Sequence, residues 1–171
     1  MTNTPEVEVS GGIAQPVILS PAQFLEHWQG HRRLTRRVIL AFPEDQLFSY
    51  SIGGMRSFGM LAWEIHQVNG FTLKGMRTGD WTMPDWSAGT PQDRPGLLKA
   101  WDELTAHFET ELPQVAPAFY SQMHTLPWGE MSGWAAAIYS IDNEIHHRGQ
   151  GYVYLRALGT EPPEFPSYMA P

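Results

Sequence analysis

Four stretches of the chain repeat apolar residues every three to four positions, and residues that start or stop helices bound each of them. In the first, Ser20 and Pro21 open a run in which Phe24, Leu25, Trp28, Val38 and Ile39 recur at helical spacing, and Pro43 ends it. A second run, from about Ser57 to Arg77, carries Phe58, Leu61, Ala62, Ile65, Val68, Phe71 and Met76, with Gly70 and Gly75 expected at close packing contacts. The third holds Leu97, Leu98, Trp101, Leu104, Phe108 and Leu112 and stops near Pro113. The fourth starts near Ser132 and ends near Gly159, with Pro162 and Pro163 preventing continuation. No segment alternates with a period of two, so the pattern predicts an all-α fold, a four-helix bundle with long connections after the second and third helices. At 171 residues the chain has single-domain length. Residues 19–171 are expected to form the bundle. Residues 1–18, aperiodic and containing Gly11, Gly12 and Pro16, read as a flexible N-terminal arm.

Composition narrows the chemistry. The formal net charge of -7 repels polyanions, and no Lys/Arg run offers a footprint for phosphates, so nucleic acid is an unfavourable partner. The basic stretch "HRRLTRR" (His31 to Arg37) lies within the first helix, where its four arginines are expected on one solvated face. There is no cysteine, which removes disulfides, thiolate nucleophiles and zinc-thiolate centres. Any bound metal must be held by His, Asp, Glu or Asn. The N-terminal residues carry acids where a secretion signal would carry a basic segment and an apolar run, and no window approaches the roughly 20 apolar residues of a membrane span. A cytoplasmic protein without a membrane partner is expected.

The polar residues of the fourth helix are the strongest candidates for chemistry. In "SIDNEIHHRGQGYVYLRALG" (Ser140 to Gly159), residues four apart lie about 40° apart on the helical wheel and residues three apart about 60°. Asn143 with His147, Glu144 with His147, and Asp142 with His146 can therefore each present two ligands to one ion. The adjacent His146 and His147 cannot. A third ligand has to come from another helix, and His66, in "LAWEIHQVNG" near the apolar face of the second helix, is the available donor. Bundle cores build metal centres in this way, including from Glu-x-x-His spacing. The competing reading makes these groups the wet face of a helix and His66 a boundary histidine. His27, His31, His107 and His124 are assigned to structure or solvent.

The block "EIHHRGQGYVYLRALGTEPP" (Glu144 to Pro163), together with the histidine midway along the preceding helix in "LAWEIHQVNG", resembles the DinB/YfiT-like superfamily of metal-dependent enzymes. That resemblance implies a four-helix bundle holding a divalent metal, zinc or nickel, with one ligand from the second helix and two from the last at His-x-x-x-His spacing. Carried onto this chain, the ligands are His66 and His147, and the remaining position falls on Asn143 instead of a histidine. An amide oxygen is a weaker ligand than imidazole or carboxylate for such metals. Glu144, one residue later, is the anionic substitute. Arg148 is expected to pair with a carboxylate or cap a loop, and Gly149 to permit close helix approach. Trp63, Tyr152 and Tyr154 are expected as core residues or pocket walls.

The resemblance also implies an activity: transfer of a low-molecular-weight thiol to a small electrophile, or a hydrolysis, at the open position of the ion. A chain without cysteine would borrow such a nucleophile. The alternative is a non-enzymatic bundle with a degenerate metal site and a role in binding or stress response, the Asn at position 143 marking the decay. An apolar exposed stripe would favour a homodimer.

Overall fold

The computed structural model describes residues 19–169, so the expected arm at residues 1–18 lies outside the described residues. The four long helices are α1 (Pro21–Ala41), α2 (Phe58–Thr78), α3 (Arg94–Glu111) and α5 (Gly133–Ala157). Between α3 and α5 run a 3₁₀ turn (Leu112–Gln114), the short helix α4 (Pro117–Ser121) and a hairpin of β1 (Met123–Leu126) and β2 (Gly129–Ser132). A further 3₁₀ turn spans Phe165–Met169. The architecture is a four-helix bundle, as the periodicity predicts. The hairpin is a correction: its antiparallel strands pair Met123 with Ser132 and Leu126 with Gly129 and are four residues each, too short to show alternation.

Helix ends are fixed by local chemistry. Ser20 and Gln23 form a reciprocal capping box at α1, with Ser20 Oγ accepting from the Gln23 amide at 3.2 Å and Gln23 Oε1 from the Ser20 amide at 2.9 Å. Asp93 accepts from the Gly96 amide at 2.8 Å to start α3, and Ser132 accepts from the Ala135 amide at 3.2 Å to start α5. Gly79 closes α2 in the left-handed conformation, at a φ of 72°.

The core has two apolar clusters. One gathers Phe24, Trp28, Phe108, Phe71, Trp81 and Phe119, and the other Val38, Ile39, Phe42, Phe58, Trp101 and Tyr154. In the second, Phe42 and Phe58 stack with centroids 4.7 Å apart. The bare backbone of Gly151 on α5 lies against the Phe58 ring, so a Cβ there would collide with it. Gly149, expected at a close approach, instead faces open space. Gly75 is occluded by the Trp81 indole, whereas Gly70 makes only ordinary contact with Leu104.

The arginines of α1 do not form one solvated face. Arg32 is fully buried: Nε donates to Thr105 Oγ1 at 3.0 Å, Nη2 donates to the Trp101 carbonyl at 2.8 Å, and the guanidinium lies 4.5 Å from the Trp101 ring centroid. Burial pulls its pKa down to about 10. Arg36 pairs with Asp102 at 2.7 Å, Arg33 with Glu26 at 2.7 Å, and Arg37 donates to the Ser167 carbonyl at 2.7 Å. Long stems that cover apolar surface and planar heads that stack on indole let arginine occupy such places.

Candidate active site between α2 and α5

A cleft of about 380 Å³ opens along α2 where it faces α5. Met60, Glu64 and Val68, one stripe of α2, form its floor, and Tyr139 of α5 borders it. The loop after α2 supplies Met83 and Trp86, and the hairpin turn supplies Trp128. Gln67 Nε2 donates to the Trp86 carbonyl at 2.8 Å, which ties this loop to α2 and pre-forms the wall.

At the α5 side of Glu64 sits His147, 7% exposed. Its Nε2 lies 3.1 Å from Glu64 Oε1, and its Nδ1 lies 2.7 Å from Gln150 Oε1. Gln150 Nε2 is turned to Met55 Sδ at 4.0 Å. Both ring nitrogens therefore face oxygen acceptors. With the Gln150 amide in this orientation, Nδ1 donates to Gln150 and the Nε2 lone pair faces the Glu64 carboxylate, a gap that a cation would bridge. With the amide turned about, the Nε2–H tautomer of the neutral ring donates to Glu64 directly. Arg56 forms an ion pair with the other Glu64 oxygen. The Glu64 carboxyl is held down at about 2, first by its hydrogen bond with His147 and then by Arg56, against the opposing effect of burial.

The expected ligands are placed separately. His66, two residues after Glu64 and so about 200° around α2, turns away from His147. Its ring stacks on Trp63 at 4.6 Å and lines a second depression under the 82–88 loop, and its Nδ1 is buried without a partner among the described residues. Burial, reinforced by the Arg32 charge, lowers its pKa to about 4. Glu144 is fully buried and faces α1 and α2, accepting from Thr35 Oγ1 at 2.6 Å and Asn69 Nδ2 at 3.0 Å. Arg148, also buried, stands 3.9 Å from Glu144 and donates to Thr35 Oγ1 at 3.1 Å and to His31 Nδ1 at 3.0 Å. Asn143 shares the His147 face, and its Oδ1 is buried without a partner among the described residues. Asp142 and His146 are exposed. Tyr154 is core, its hydroxyl donating to the Arg56 carbonyl at 3.0 Å, while Trp63 lines the cleft.

Among the described residues no three His, Cys, Asp or Glu side chains gather closely enough to hold a metal. What the fold brings together is one imidazole nitrogen and one carboxylate oxygen, with the orphaned amide oxygen of Asn143 one turn before His147. Two donors each about 2.1 Å from one ion stand roughly 3.0–3.4 Å apart, so the 3.1 Å His147–Glu64 separation, itself a hydrogen-bond distance, would suit two ligands of a divalent ion. Gln150 is the outer partner that a ligating imidazole needs on its second nitrogen. Sequence reasoning missed Glu64, although it is the one acidic residue of α2. Arg56, in the loop before α2, gave no local signal.

Comparison with known proteins places this bundle. No curated protein matches the chain. Solved structures do: a DinB-like protein from Bacillus cereus is 19% identical with a TM-score of 0.67, covering 84% of this chain and 95% of that one. A DinB-like protein from Bacillus subtilis is 22% identical with a TM-score of 0.67, covering 84% and 96%. At these identities the likeness concerns the fold. The DinB family model matches residues 14–170, nearly the whole sequence, and the chain belongs to the DinB family.

Proposed function

We propose that this protein is a divalent-metal-dependent enzyme of small molecules, a transferase or hydrolase that directs a thiol or a water at an electrophile in the α2–α5 cleft. The observation that carries this reading is the opposition of His147 Nε2 and Glu64 Oε1 at 3.1 Å while Gln150 occupies the other ring nitrogen. His147 and Glu64 would hold the ion with Asn143 as the weaker third donor, and nitrogen and oxygen donors of this kind suit zinc or nickel. Glu64 replaces His66 as the α2 ligand in this proposal, and Glu144 is a structural residue. When bound, such an ion acts as a Lewis acid that lowers the pKa of a coordinated thiol or water.

The chain's own groups supply the rest. Gln150 fixes the ring orientation of His147, and Arg56 fixes the carboxylate of Glu64. Trp63, Trp86 and Trp128 wall the cleft, so a substrate seated among them would displace water and strengthen electrostatic interactions inside it.

A specific feature favours a second reading. Arg56 already neutralises Glu64, as suits a metal-free binding bundle whose ion site has decayed. Metal analysis of untagged protein, purified without chelator and then reconstituted with zinc or nickel, separates the two. About one ion per chain, lost in Glu64→Ala and His147→Ala but kept in His66→Ala, supports the enzyme reading. Absence of metal after reconstitution sinks it.

A further inference from the structure

The cleft has a chemistry beyond its Glu64–His147 pair. Its walls are aromatic: Trp63, Phe71, Trp86, Trp128 and Tyr139 contribute rings, and Met60 and Met83 fill between them. Trp128 and Tyr139, with centroids 6.1 Å apart, are each 47% exposed, and Trp128 reaches Phe71 at 5.5 Å. Exposed rings are costly to leave in water and here converge on one concavity. Quadrupolar edges and faces at these separations favour a flat aromatic guest over an alkyl chain of equal area, and methionines adapt to its outline.

At the same mouth, Arg56 has a half-exposed guanidinium of which only Nη2 is engaged, by Glu64. Its Nε and Nη1 have no side-chain or backbone acceptor among the described residues, so charged N–H donors remain open to an anion beside the Glu64 contact. Among the described residues Arg56 is the single cationic one lining the cleft. We infer that the cleft binds a planar aromatic carboxylate, its ring held among the indoles of Trp63, Trp86 and Trp128 and its carboxylate on Arg56. This rests on the cleft being the working site proposed above. It requires nothing of the ion.

The test is isothermal titration of the metal-free protein with 2-naphthoate, its neutral analogue 2-naphthylmethanol, and decanoate, which has the charge without the ring. The expected Kd for 2-naphthoate is roughly 0.1–1 mM, the range accessible to a ligand of this size, and at least tenfold tighter than either control. Arg56→Gln should weaken 2-naphthoate about tenfold and leave 2-naphthylmethanol within twofold. Trp128→Ala should weaken both, with circular dichroism confirming that each variant is folded. Equal binding of decanoate and 2-naphthoate, no binding of 2-naphthoate, or an Arg56→Gln variant indistinguishable from the parent would overturn the inference. A parallel zinc titration keeps the two proposals apart. Zinc binding without naphthoate binding rejects only the aromatic carboxylate, and naphthoate binding without zinc binding rejects only the metal.

Discussion

Arg148 Nη2 donates to His31 Nδ1 at 3.0 Å across the α1–α5 interface, which fixes His31 as a neutral imidazole whose proton is on Nε2. His31 is buried, stacked on Tyr168 at 4.6 Å and met edge-on by His27 at 4.6 Å. Its pKa is lowered to about 3, first by burial, then by the positive charge of Arg148 and by His27. Between the ordinary value of 6.5 and about 3, the unfolded chain binds a proton that the folded chain refuses. Stability therefore rises with pH through this window, is complete above it, and is lost on acidification at up to about 1.4 kcal/mol per pH unit for this one proton. Urea unfolding at several pH values between 4 and 7 should show this slope, and His31→Gln should reduce it. An unchanged slope in the variant would remove His31 as the cause.

Arg32 gives a different stability prediction. Its stem and guanidinium fill space against Trp101 and Phe108, so Arg32→Ala should cost about 3 kcal/mol or more through the cavity and the lost hydrogen bonds. Arg32→Met keeps most of the volume and removes a buried cation, and the Trp101 carbonyl still accepts from Thr105 Oγ1 at 2.8 Å. It should cost less than about 1.5 kcal/mol. Denaturant midpoints of the two variants decide the matter, and equal losses would contradict it.

Two glycines of α5, two residues apart, should respond in opposite directions. Gly149 faces open space, so Gly149→Ala should stabilise by about 0.5–1 kcal/mol through helix propensity. Gly151→Ala drives a methyl into the Phe58 ring and should destabilise by about 1–3 kcal/mol. Thermal unfolding of both variants provides the comparison.

Gln150 and Glu144 separate site from scaffold. If His147 is a ligand, Gln150→Leu should lower zinc affinity about 10–100-fold with little loss of stability, because it removes the outer partner of the ring. Glu144→Ala should do the reverse. It leaves Arg148 buried beside an empty position and costs about 3–5 kcal/mol, while zinc affinity in the folded fraction is retained. Zinc titration beside urea unfolding reads both effects, and loss of zinc binding in folded Glu144→Gln protein would return Glu144 to the ligand set.

Much of the fold was legible in the sequence because its determinants are local. Apolar spacing gave four helices, and Ser20, Asp93, Ser132 and Gly79 end them through side chains or backbone angles available within a few residues. The same locality identified the α5 face of Asn143 and His147. The hairpin was hidden because strands of four residues, paired mainly with each other, need no long alternating pattern.

What only the tertiary structure decided is which side chains meet. α2 is rotated so that Phe58, Leu61, Ala62, Ile65 and Asn69 are buried, and that rotation sends Glu64 to His147 and His66 to the Trp63 side. Arg32 could be buried because Trp101 and Thr105, about seventy residues away, supply the π face and acceptors that offset its desolvation. Glu144, on the wheel a neighbour of His147, was drawn inward by Thr35, Asn69 and Arg148. Periodicity determines that a residue lies on a helix and roughly on which stripe. The partner across the interface depends on how whole helices turn to bury their apolar faces, and no spacing within one helix encodes that.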